Sequence, residues 1–175
     1  VSNREAVVDA LAANAVDLAI MGRPPRTLET VAASFAPHPF VVIAAPGHPL
    51  ARRRRLPVAA LAEESFLVRE PGSGTRTAMQ GYFDEHGVVV RIGMEMASNE
   101  TIKQAVMAGM GVSFLSRHTI ALELASRRLA ILDVRGLPVM RDWFVVHLTA
   151  KTLSPTARAF REYVLRHGGA ELKRL

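Results

Sequence analysis

Short apolar runs that read as strands alternate along this chain with segments whose apolar residues recur at helical spacing, and glycine or proline marks most of the joints. That alternation constrains the fold more than any other feature, because strand–helix–strand units pack as α/β layers, with largely parallel sheets expected. The expected strands are Val16–Met21, Thr30–Phe35, Phe40–Ala45, Phe66–Arg69, Val88–Glu95, Val112–Leu115, Leu129–Val134 and Trp143–Thr149. Phe40–Ala45 is a continuous apolar run, the pattern of a strand in a sheet covered on both faces. Gly22-Arg23-Pro24-Pro25 ends the first strand, since two prolines continue neither ladder nor helix.

Helix signals fill the gaps. Ser2 and Glu5 fit a capping box that opens a helix with Val8, Leu11, Ala12 and Ala15 on one face, ended at Asn14. A short helix is expected at Val58–Ala62, and a longer one at Thr75–His86 with Met79, Tyr82 and Phe83 inward and Gly87 as its stop. Ser98 and Asn99 offer N-caps to Thr101–Ala108, whose Ile102, Ala105, Val106 and Gly109 face the core. His118–Ser126 is a further helix. Ser154-Pro155 starts the last one, with Ala157, Phe160, Tyr163 and Val164 as its apolar face.

Composition excludes several classes. With no cysteine there is no disulfide framework, thiolate metal site or iron–sulfur cluster. An apolar share of 49% with 22% charged residues excludes a disordered chain, and 175 residues suffice for one domain or two small lobes. The longest apolar stretches, such as Phe40–Pro46, fall far short of the about 20 residues of a membrane span. The N-terminal residues lack the apolar core of a secretory signal, so a soluble globular chain is expected. The net charge of +6 raises nucleic acid as a partner, and Arg52–Arg55 alone supplies four of the positive charges. Aromatics at 6% are too sparse to interleave with them, which favours a solvated basic loop.

Enzyme signatures fail. There is no HExxH, no pair of histidines at metal-ligand spacing and no G-x-S-x-G elbow. Gly72-Ser73-Gly74-Thr75-Arg76 fits neither Walker A nor G-x-G-x-x-G spacing. No catalytic activity and no cofactor are expected.

Two strand–helix joints carry more chemistry. Arg69-Glu70-Pro71-Gly72-Ser73-Gly74-Thr75-Arg76 leaves a strand and opens a helix, and Ala97-Ser98-Asn99-Glu100-Thr101 repeats the arrangement. Free amides at a helix N-terminus attract an anion, and hydroxyls and guanidiniums beside them suit a carboxylate or phosphate. Ordinary capping explains either joint alone. Both lie at carboxyl ends of strands, where open α/β sheets bind ligands.

Asn3-Arg4-Glu5 with Asp17-Leu18-Ala19-Ile20, Val42–Leu50, and Gln104-Ala105-Val106-Met107-Ala108-Gly109-Met110-Gly111-Val112 resemble the effector-binding domain of LysR-type transcriptional regulators. Ile20–Pro25, Phe66–Arg76 and Ser98–Ser116 are most similar to the regulators of carbon-fixation (RuBisCO) operons, and Leu132–Val134, Gly136–Pro138 and the Ser154-Pro155 helix fit as well. The resemblance implies an α/β, two-lobed, Rossmann-like type 2 periplasmic-binding-protein fold. On that template lobe I takes residues 1–62 with 144–175, and lobe II takes residues 63–143.

The family also places a winged helix-turn-helix, and then the first strand, helix and strand of lobe I, before the position matching Ser2. The resemblance therefore implies an open edge at Asp17–Met21, a better-ordered lobe II, and promoter DNA contacted only through a segment outside this sequence. It implies a cytoplasmic regulator that binds a small anion between its lobes, a phosphorylated Calvin-cycle metabolite or NADPH. The implied effector-binding residues are Ser73, Gly74, Thr75, Arg76, Ser98, Asn99 and Thr101, with Gly22, Arg23 and Arg69 on the opposite or inner wall. A homodimer or tetramer through the effector domains is implied, with helix Asn3–Ala13 against lobe II of a neighbour; the alternative is that this helix packs only in its own lobe. Two further readings share the fold: a solute-binding protein of a transporter, and an enzyme such as a dehydratase.

Overall fold

A computed structural model describes residues 2–174. In chain order its elements are α1 (Arg4–Ala12), β1 (Ala19–Met21), β2 (Thr30–Ala44), β3 (Ser65–Arg69), α2 (Gly74–Glu85), β4 (Arg91–Met96), α3 (Asn99–Met107), β5 (Ser113–Ser116), α4 (Ala121–Ala125), β6 (Ala130–Ile131), β7 (Val139–Leu148) and α5 (Pro155–Lys173). Short 3-10 turns stand at Pro49–Arg52, Val58–Leu61 and Arg117–Thr119. The chain divides into two compact units, one holding the residues up to His38 and from Met140 onward, the other holding Pro39–Val139. The chain leaves the first unit inside β2 and returns inside β7.

The second unit shows why Phe40–Ala45 is apolar throughout. Successive strand residues point to opposite faces. Phe40, Val42 and Ala44 join Phe66, Val68, Val112 and Phe114 in a cluster with Met79, Tyr82 and Phe83 of α2. Val41 and Ile43 join Leu67 and Leu115 in a second cluster with Ile102, Ala105 and Val106 of α3. One strand thus feeds two cores, and α2 and α3 bury the residues their periodicity predicts. Gly87 stops α2 with φ +63°, a left-handed conformation that favours glycine.

β3 lies at the centre of this arrangement. It pairs in parallel with β4, and on its other side Leu67 N–H donates to the Val112 carbonyl at 2.8 Å while Val112 N–H donates to Ser65 O at 2.9 Å. The approach is close enough that a Cβ on Gly111 would stand 2.3 Å from Ser65 O, a backbone atom. Gly111→Ala is therefore expected to push β3 aside and cost about 1–3 kcal/mol, as overpacking does. An unchanged urea midpoint would contradict this contact.

In the first unit, β1 pairs antiparallel with β7, and Leu11, Ala19, Met21 and Val146 form a small core with Val7, Val8, Leu28 and Phe144 against it. On α5, Ala157 and Val164 are buried, whereas Phe160 and Tyr163 are about half exposed. They line a groove of about 300 Å³ with Ile20, Phe35 and Trp143. Among the described residues β1 pairs with β7 alone, and Ile20 is 45% exposed.

Several expectations are corrected. β2 is one strand, not two, because Pro37 and Pro39 stand two apart and so remove amides on one edge only. Strand pairing is mostly antiparallel (β1–β7, β2–β5 and β2–β6), since the long strands β2 and β7 carry the chain between units; β3–β4 is the parallel pair. Asn3, not Ser2, caps α1, accepting from Ala6 N–H at 3.0 Å. Val16–Met21 shrinks to Ala19–Met21, Val88–Glu95 becomes Arg91–Met96, Leu129–Val134 shrinks to Ala130–Ile131, and His118–Ser126 splits into a 3-10 turn and the short α4. Gly109 is exposed. Residues 39–62, expected in lobe I, group with residues 63–139, because Phe40–Ile43 pairs with Ser113–Ser116 and Leu50, Leu56, Val58 and Leu61 pack into the α2-side core.

Candidate functional site

Because β3 and β4 are parallel and end together, Arg69 opposite Met96, the helices that follow start from the same edge of the second unit. Ser73 is the N-cap residue of α2 and Ser98 that of α3. The unpaired amides of two helix starts give this edge a partial positive charge. The two serines differ. Ser98 Oγ accepts from Glu100 N–H at 3.2 Å, which is ordinary capping. Ser73 is 2% exposed and its hydroxyl makes no capping bond, while its carbonyl accepts from Thr77 N–H at 3.1 Å and from Thr77 Oγ1 at 3.2 Å.

Arg69 ties the two loops together. Its Nη1 donates to Asn99 Oδ1 at 2.7 Å, across from the β4–α3 joint. Its Nε and Nη2 donate to Glu70 Oε2 and Oε1 at 2.7 and 2.8 Å, a bidentate pair with both side chains largely shielded. Arg76, on the first turn of α2, donates from Nη1 to Arg69 O at 3.0 Å and to the Glu95 carboxylate. The guanidiniums are thus fixed in place by the loops they serve, and each already has a carboxylate.

Eight of the residues singled out from the sequence therefore meet on one edge: Arg69, Ser73, Gly74, Thr75 and Arg76 with Ser98, Asn99 and Thr101. Gly74 and Thr75 are half-buried in the first turn of α2, and Thr101 is exposed. Gly22 and Arg23 lie in the first unit, where a Cβ on Gly22 would come within 3.1 Å of His38 Nδ1. The sequence reading missed Glu70 and Glu95. Adjacent strand residues point to opposite faces, which hides an Arg69–Glu70 pair, but β3 stops at Arg69 and frees Glu70 to turn back. Among the described residues no group of three or more histidines or carboxylates could hold a metal ion, and no helix is long and apolar enough to cross a membrane.

This edge offers hydroxyls, helix amides and two oriented guanidiniums, groups whose chemistry suits an anion. The family model described as LysR substrate binding domain matches residues 1–169. A RuBisCO operon transcriptional regulator of Allochromatium vinosum is 54% identical over 165 residues, covering 94% of this chain and 55% of that protein. The HTH-type transcriptional regulator CfxR of Cupriavidus necator is 48% identical over 165 residues, 94% of this chain and 52% of that protein. The chain thus spans about half the length of these relatives. The regulatory domain of CcmR from Synechocystis PCC6803, solved in complex with 2-PG, is 42% identical with a TM-score of 0.90, covering 94% of this chain and 79% of that chain.

Proposed function

The chain belongs to the LysR substrate-binding domain family, with its α/β periplasmic-binding-protein-like fold, and from that premise we propose that it is the effector-sensing part of a transcriptional regulator of a carbon-fixation operon. The observation that supports the reading is the paired edge of β3 and β4, where two helix starts and the Arg69–Asn99 bond bring together groups suited to an anion. The ligand is a small anionic metabolite, a phosphorylated sugar, 2-PG or NADPH. Ser73, Gly74, Thr75 and the α2 amides cradle it, Ser98, Asn99 and Thr101 close the second side, and Arg69 and Arg76 supply charge. The 42% identical CcmR domain, solved with 2-PG, supports a ligand of this kind.

Because Glu70 and Glu95 already hold the two guanidiniums, the anion binds by displacing carboxylates. The site therefore couples occupancy to the positions of the β3–α2 and β4–α3 loops. An effector with different affinity for two loop arrangements shifts their populations, and through them the DNA contacts of the longer regulator. The protein works in the cytoplasm as a homodimer or tetramer through its effector domains. On α1, Val7 and Val8 pack against their own unit's core, so a dimer surface there uses what that core leaves open.

Calorimetry with 2-PG, a sugar bisphosphate, NADPH and an aromatic acid tests the reading. A phosphorylated probe is expected to bind, and Arg76→Gln is expected to weaken it about tenfold, or ~1.4 kcal/mol. Binding of the aromatic acid with no response to any phosphorylated probe would reject the carbon-fixation assignment.

A further inference from the structure

The run Arg52–Arg55 is held by the fold. Pro49–Arg52 forms a 3-10 turn closed by Arg53 N–H donating to Leu50 O at 3.1 Å. Leu56, 1% exposed, anchors the other end and bridges Val134 in parallel: its N–H donates to Asp133 O at 2.7 Å, and its carbonyl accepts from Arg135 N–H at 2.9 Å. That bridge brings a fifth arginine to the run. Arg135 donates from Nε to Arg55 O at 3.2 Å, and its own carbonyl accepts the buried Tyr82 hydroxyl at 2.8 Å. All five arginines are exposed, and among the described residues none of them makes an ion pair. Asp133, also exposed, is the acidic residue on the facing segment and offsets one charge.

We propose that Arg52–Arg55 with Arg135 is a second anion-binding surface, distinct from the loops that take the effector, and that its ligand is the phosphate backbone of duplex DNA. Five guanidiniums on a fixed backbone match a polyanion better than a single small ion. The planar fork of arginine pairs with phosphate oxygens in bidentate fashion. Duplex DNA presents a charge about every 1.7 Å of axis, so a short rigid run meets several phosphates at once. An acidic protein is the weaker match. Protein docking relies on buried aromatic or aliphatic anchors, and no large exposed apolar side chain lies between Val31 and Val89 in the chain. No aromatic stands within the run itself, and Tyr82, which bonds to Arg135, is buried and cannot stack on bases, so the contact positions DNA without reading sequence. This surface adds to the DNA contacts of the longer regulator and does not depend on which effector binds.

Fluorescence anisotropy of the 175-residue chain with a labelled duplex of arbitrary sequence tests it. Binding is expected at about 50 mM salt, weakening steeply by about 200 mM. Arg53→Ser/Arg54→Ser is expected to reduce the salt slope by about 2 and to weaken binding at least tenfold. Arg158→Ser/Arg166→Ser, which removes the same charge from the exposed face of α5, should leave binding within about twofold. No binding at low salt overturns the proposal. So does an equal loss in both double variants, which would mean diffuse net charge, and so does tighter binding to poly-glutamate than to the duplex, which would mean an acidic protein partner.

Discussion

Lys103→Ala is expected to lower the unfolding free energy by about 3–5 kcal/mol, the usual consequence of stripping one partner from a buried ion pair. Lys103 is 5% exposed on α3, and its Nζ donates to Thr119 O at 3.0 Å while pairing with Glu123 at 2.9 Å and Glu100 at 2.8 Å. Glu100 is open to water and loses little. Glu123 is not: its side chain is 13% exposed, and Oε2 is buried with no hydrogen-bond partner among the described residues. Removing the ammonium leaves that carboxylate charged in a poor solvent, and α4, only one short helix, carries the strain. Lys103→Met/Glu123→Leu, which removes both charges, should recover most of the loss. A loss below about 1 kcal/mol for Lys103→Ala in urea unfolding would show that Glu123 is already solvated.

The same pair fixes the pH dependence. Burial pushes the Glu123 carboxyl up, but the hydrogen bond from Lys103, a backbone hydrogen bond and the charges of Lys103 and Arg128 outweigh it and hold its pKa below the ordinary 4.5. A folded-state pKa below the unfolded one gives stability that is present above 4.5 and lost as pH falls through the lowered value. Burial likewise pushes Lys103 down, but its bonds to Glu100 and Glu123 and their charges raise its pKa above 10.5. That contribution is complete below 10.5 and is lost as pH rises through the raised value. The stability gap between wild type and Lys103→Ala should therefore be widest in the neutral range and close in acid.

The second unit was largely legible in the sequence, because its signals are local. The unbroken run from Phe40 to Ala44 announces a strand between two cores, and the inward residues of α2 and α3 follow from helical period alone. What was not legible depends on partners distant in the chain. Pro37 and Pro39 look like breakers until their two-residue spacing lets a strand run through them. Residues 39–62 could be assigned to a unit only by knowing that Phe40 finds Ser116. In the candidate site, Ser73, Ser98 and the glycine-rich joint were readable as strand-to-helix chemistry. Glu70 and Glu95 were not, since their pairing follows from where β3 stops and where the first turn of α2 swings Arg76. The Arg52–Arg55 run reads as solvated charge in one dimension, and only the Leu56–Val134 bridge shows that it is rigid and joined by Arg135.

The other large effect is expected at Phe66, on the strand that ends at Arg69 in the candidate site. Its ring is fully buried on the α2 side of β3, edge-on to Phe83 with centroids 5.2 Å apart. Phe66→Ala removes that aromatic contact and leaves a cavity, for a cost of about 3–5 kcal/mol. The cavity cannot collapse easily, since β3 is clamped by β4 on one side and by Val112 on the other. Leu67, its neighbour, points to the other face and packs with Ile102 and Leu115, so Leu67→Ala adds a separate loss of about 2–5 kcal/mol. The two losses fall in different cores, so the double variant should lose clearly more than either single variant, a large part of the ~5–15 kcal/mol that holds a domain together. The double variant is accordingly expected to be unfolded at room temperature, whereas Val89→Ala, at a side chain 87% exposed, should stay within about 0.5 kcal/mol of wild type. A folded double variant with a midpoint close to either single variant would mean that the two cores are one, and that the sheet is not packed on both faces.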